Sequence, residues 1–201
     1  MQSVKELNIN ISGEELLSYI SKGTPPLFYD KNKLFLCADF AGKVAKIKIT
    51  SNVFRIAIEK DGVKVLGTTL VLKGNSIKEH LLGCVDVMIF AVTLGRGVDE
   101  AIARSKYHDL EYSCLLDSAA EFLLDRAVEQ INLELKASLK VENKTTTLPF
   151  SPGYGDLPLD CQGDVLEILS AKKQLGILLS ESLLMSPLKT ITSIIGIKYE
   201  S

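Results

Sequence analysis

Phe150-Ser151-Pro152-Gly153-Tyr154-Gly155-Asp156 is the stretch from which the rest of the chain is best read. Pro149 and Pro152 stiffen the backbone, while Gly153 and Gly155 can take positive φ at little cost. Such a segment belongs to neither a regular helix nor a regular strand. It can bring bare backbone N–H and C=O groups against a ligand, with the Tyr154 ring and hydroxyl beside them. Its plainer role is a surface connection. Lys140–Leu148 before it is polar and Thr-rich and reads as a strand. Leu159–Lys173 after it has Leu159, Val165, Leu166, Ile168 and Leu169 on one face, the pattern of an amphipathic helix that Gly176 ends.

Working back from the loop, Leu110–Leu139 is the longest helical pattern, with Leu116, Ala119, Ala120, Leu123, Leu124 and Ala127 at three and four spacing. Asp117 and Glu121 lie four apart on it and share a face, with no Lys or Arg at a matching helix position to relieve Glu121. Either they form a solvated helix edge, or a carboxylate held beside small residues receives a cationic ligand group. Val85–Val92 is apolar except for Asp86, as in a strand covered on both faces, and Thr93-Leu94-Gly95-Arg96-Gly97 turns it into a helix over Val98–Lys106. A Gly-containing turn before a helix can bind an anion. No phosphate-loop Lys or full dinucleotide fingerprint accompanies this one. His80 and His108 read as solvated residues on helix edges. Ile191–Tyr199 reads as a strand, and Ser180-Glu181-Ser182 as part of one with alternating side chains.

The N-terminal part is expected to be mostly strands. Val4–Ile11 alternates, and Ser12 with Glu15 forms a capping box for a short helix through Ile20, stopped by Gly23-Thr24-Pro25-Pro26. Leu34–Leu36, Val44–Ile49, Phe54–Ile58 and Val63–Leu72 are predicted strands, with Asp61-Gly62 as a hairpin turn. Ser76 is the predicted cap of a helix over Ile77–Leu82.

A length of 201 residues suits a single large domain, 1–201, with a strand-rich part over 1–73 and the remainder over 74–201. A formal charge of −2 argues against a nucleic-acid partner held on a basic surface. Cys37, Cys84, Cys114 and Cys161 are widely spaced and include no Cys-x-x-Cys pair, which suits reduced thiols and excludes a zinc-ribbon spacing. With no apolar run at the N-terminus and none long enough for a bilayer, the expectation is a cytoplasmic protein with no membrane partner.

Five matches in one order, from about Leu82 to Ile197, carry a resemblance. They are Phe90-Ala91-Val92-Thr93-Leu94-Gly95 before an acidic helix, Asp117-Ser118-Ala119-Ala120-Glu121, Ser151–Asp156 followed by Leu157-Pro158-Leu159, Ser180-Glu181-Ser182, and Met185-Ser186-Pro187. Together they resemble the activation domain of cobalamin (vitamin B12)-dependent methionine synthase. The resemblance implies an α+β fold, a twisted and mainly antiparallel sheet with flanking helices, bent into a C shape. It implies S-adenosylmethionine as ligand and cobalamin carried by a partner, a separate methionine synthase or another corrinoid protein. There the ligand's methyl and an electron from a flavodoxin-type reductant would restore methylcobalamin. Carried over residue by residue, Glu121 would receive the ligand ammonium, Ser151 and Gly153 would offer backbone, and Tyr154 its ring. The resemblance also implies an Arg two residues before Ser151, where this chain has Pro149. A docking or regulatory module for a corrinoid protein, with a degenerate S-adenosylmethionine site, is the alternative that this departure favours.

Overall fold

The computed structural model describes residues 4–22 and 30–200. Its first elements are β1 (Val4–Leu7), α1 (Gly13–Ser21), α2 (Lys31–Val44), β2 (Ile47–Glu59), β3 (Gly62–Val65), β4 (Val71–Leu72), α3 (Asn75–His80) and β5 (Asp86–Thr93). There follow α4 (Arg96–Ser105), α5 (Leu110–Leu139), β6 (Lys144–Thr146), α6 (Gln162–Ile168), α7 (Ala171–Leu175), β7 (Leu178–Leu179), β8 (Met185–Ser186) and β9 (Thr190–Tyr199). The expected helix stop at residues 23–26 lies outside the described residues.

One antiparallel sheet runs β4-β3-β2-β5-β9-β6, with β1 beside the first part of β2; β7 and β8 pair separately. β5 is central, flanked by β2 and β9, and its apolar run follows from burial on both faces. Met88, Phe90 and Val92 point into one core with Leu34, Leu116, Ala120 and Leu123, under α1, α2, α4 and α5. Val87, Ile89 and Ala91 point into a second core with Ile77, Leu81, Leu157, Val165 and Leu169, under α3, α6 and α7. The fold is therefore α+β, a sheet between two helical layers. Among the described residues no helix is long and apolar enough to cross a membrane.

The N-terminal part holds more helix than its local alternation predicts. Leu34-Phe35-Leu36 sits in α2, not in a strand, because Asp30 caps the helix at Asn32 N–H and Leu34, Cys37, Ala38 and Ala41 form a buried three-and-four stripe. Three alternating residues are too short a window to separate the two periods. Val44 ends α2, and the strand begins at Ile47; the predicted strands at 44–49 and 54–58 are one continuous β2. The capping box of Ser12 and Glu15 forms as expected; the hairpin forms too, but its turn is Lys60-Asp61, one residue earlier than the expected Asp61-Gly62, because Gly62 already pairs with Glu59. Leu159–Lys173 is not one helix: a 3-10 turn at Leu159–Cys161 leads into α6, and Ser170 in the left-handed region (φ 50°) separates α6 from α7.

Candidate functional site

The loop at 150–156 leaves the sheet edge and docks on α3. Phe150 pairs with Ile194 through two backbone hydrogen bonds, 2.9 and 2.8 Å, as the final contact of this segment with β9. Within the loop, Gly153 N–H donates to Leu157 O and Tyr154 N–H to Ser151 O, each at 3.0 Å. The Gly153 N–H and the Ser151 carbonyl, two of the backbone groups expected to face a ligand, are thus engaged by the turn itself. Gly153 (φ 88°) and Gly155 (φ 55°) both occupy left-handed backbone, as the sequence requires of them. Tyr154 is 60% exposed and meets the Phe150 ring edge-on at 6.0 Å.

Asp156 fastens this loop. Its carboxylate accepts from Asn75 N–H (2.7 Å) and Ser76 N–H (2.8 Å), so the cap of α3 comes from 80 residues away and not from the Ser76 hydroxyl that the sequence suggests. Those two N–H groups hold the Asp156 carboxyl below the usual carboxylate range, because they stabilise its charged form. Gly74 (φ 124°) makes room: a Cβ there would sit 2.6 Å from Asp156 Oδ1 and 2.8 Å from its carbonyl oxygen. His80, on the same short helix, is half-buried; its Nε2 lies 2.8 Å from Leu148 O and its ring is 4.9 Å from Phe150. It is not the solvated edge residue that its sequence context suggests, whereas His108 is exposed.

Glu121 lies on α5, on the opposite layer of the sheet from the loop. The Lys189 ammonium bridges it to Asp117, at 3.2 Å and 2.8 Å respectively. The pair of acids therefore does have a cation, one that helix spacing alone could not show. Lys189 precedes β9 and its backbone is clamped. Leu94 N–H and the Thr93 hydroxyl donate to its carbonyl, while Leu188 N–H and its own N–H donate to Asp99 on α4. Ser180-Glu181-Ser182 forms the turn between β7 and β8, with the Ser180 hydroxyl accepting from Leu184 N–H; it is not a strand.

Ser151, Gly153 and Tyr154 thus come together, and Glu121 stands apart from them. What links the two halves is β9. Beyond Phe150–Ile194, among the described residues, no strand pairs with that edge of β9. Ladder alternation turns the Thr192 N–H and C=O the same way as those of Ile194, toward the unpaired edge. The loop borders this edge at one end and Lys189 with Glu121 at the other, roughly 17 Å apart along the strand. Two larger hollows lie elsewhere, about 760 Å³ beside Leu166, Ile177 and Leu178 and about 690 Å³ beside Phe40, Ala101 and Tyr112. Neither is lined by the four candidate residues.

No family model and no curated protein sequence matches the chain. Among solved structures, a crystal structure of the MetH reactivation domain bound to AdoHcy superposes with a TM-score of 0.67 over 99% of this chain and 79% of that one, at 16% identity. The chain has the fold of the MetH reactivation domain. The reactivation-domain fold includes the N-terminal 73 residues, for which no sequence match stands out, since nearly the whole chain superposes. Sequence reasoning missed three residues of this site, His80, Asp156 in its capping role, and Lys189. Each acts through a partner between 68 and 81 positions away, and no local pattern announces such a pairing.

Proposed function

We propose that this protein binds S-adenosylmethionine and supports the reductive remethylation of cobalamin held by a separate methionine synthase, with a flavodoxin-type reductant as electron source. The observation that carries the reading is the likeness, over essentially the whole chain, to a domain solved with AdoHcy bound. The residue matches add to it: Glu121 lies at one end of the stretch of β9 that no further strand pairs with among the described residues, a stretch in which Thr192 and Ser193 are buried, and the loop of Ser151, Gly153 and Tyr154 lies at the other. An elongated ligand lying along that edge would place its ammonium near Glu121, a charge-assisted contact, and its ring system by Tyr154. The ligand supplies an already activated methyl group, so the chain's own part is to hold and aim it, which is catalysis by positioning.

Calorimetric titration with S-adenosylmethionine tests this reading on the folded chain. Binding is expected, with Glu121→Gln and Tyr154→Ala each weakening it roughly ten-fold. Absence of heat at millimolar ligand rejects it. A docking module without a small-molecule ligand is the second reading, favoured by Pro149, which has no donor, and by the prior engagement of Glu121 with Lys189. Recovery of a cobalamin protein by a chain that binds no S-adenosylmethionine is its signature.

A further inference from the structure

The Lys189 side chain is 13% exposed, and its ammonium faces two carboxylate oxygens, Asp117 Oδ1 and Glu121 Oε1. An ammonium has three N–H donors, so one remains over. Among the described residues no hydrogen bond reaches Glu121 Oε2. A spare donor and a spare acceptor therefore sit side by side, on groups already 3.2 Å apart. The trio carries one excess negative charge, and the clamps on the Lys189 backbone from Leu94, Thr93 and Asp99 fix where its side chain starts. The other basic candidate on α5, Arg126, turns away to Glu129 and Glu15.

Resting on the S-adenosylmethionine reading above, we propose that Lys189 is the residue that selects for an amino-acid end on the ligand. Its third N–H takes the ligand carboxylate while Glu121 Oε2 takes the adjacent ammonium. Neither existing ion pair has to break, and Asp117 serves to hold Lys189 in place. The adjacent spare donor and spare acceptor match the neighbouring carboxylate and ammonium of an α-amino acid group, whereas a simple cation or anion would use only one of them.

The test compares two probes by calorimetry on the full chain, S-adenosylhomocysteine and 5′-methylthioadenosine, which lacks the amino-acid end. Lys189→Met is expected to weaken S-adenosylhomocysteine roughly ten-fold and leave 5′-methylthioadenosine unmoved, and Lys189→Arg to stay within about three-fold of the unmodified chain. Equal weakening of both probes, or tighter binding of S-adenosylhomocysteine by Lys189→Met, overturns the inference, the first by showing a merely structural lysine and the second a competing one. Should Lys189→Met lose its thermal transition, the Lys189→Arg comparison decides, with more than ten-fold loss for both probes counting against. If the unmodified chain takes up neither probe, the underlying reading fails and this inference with it; if it takes up both and Lys189→Met changes nothing, only the inference fails.

Discussion

Asp156 shows how one side chain can fix the course of a loop. Its two backbone hydrogen bonds satisfy the first N–H groups of α3 and fix the far end of the segment that presents Tyr154. Because its folded-state pKa is lowered, the stability it contributes is complete above the ordinary aspartate range, about pH 4, and fades as pH falls through the lower folded value. Thermal unfolding of the native chain and of Asp156→Asn should therefore differ at pH 7 and converge toward pH 2–3; a gap that is constant with pH would show that the cap is not electrostatic. Gly74→Ala addresses the same contact from the other side. It strains a φ of 124° and drives a methyl into Asp156, so a loss of more than about 1 kcal/mol is expected in urea unfolding. Lys189 belongs to this scale too, since a single residue links α4, α5 and β9.

At the scale of elements, β5 and α5 are the parts whose sequence and structure agree most closely. β5 is buried on both faces, and Phe90 is wholly enclosed beneath the α5 layer. Phe90→Ala should lose about 3–5 kcal/mol, measured by denaturant unfolding, from lost transfer energy plus the cavity left behind. α5 spans the residues that its spacing predicts, Leu110–Leu139, because thirty residues of three-and-four pattern dominate any competing local preference. α2 went the other way. Its exposed Phe35 and Leu36 interrupt the polar face and imitate a strand, and only the packing of Leu34, Cys37, Ala38 and Ala41 against α5 and its neighbours reveals the helical stripe. Phe35 lies over Gly13 at a distance where a Cβ would clash, so its ring serves the α1 contact despite being exposed.

For the molecule as a whole, the sheet divides two cores that each contain a buried thiol, Cys37 on one side and Cys161 on the other. Burial pushes both upward, Cys37 to about 12 and Cys161 to about 11, so neither is a thiolate at neutral pH. Cys114 is exposed and should react first with a thiol reagent in the native state. Cys37 and Cys161 should follow much more slowly and at matching rates, if the central sheet makes both layers open together. A Cys161 rate more than about ten-fold above that of Cys37 would show that the α3, α6 and α7 layer opens by itself, and the reverse order that the layer over Cys37 does.

The class of fold followed from the resemblance, while what the sequence determined unaided is the long helix, the doubly buried strand and the shape of the 150–156 loop. Each rests on periodicity or on the fixed backbone preferences of Pro and Gly, which act within a few residues. The tertiary structure alone decided that Glu121 already has a cation, that Asp156 caps a distant helix, and that the candidate residues flank one edge of β9 from opposite layers. Charges and hydrogen bonds at these places join positions some 70–80 residues apart. Electrostatic pairing depends on distance in space, and folding sets that distance only once the sheet is assembled.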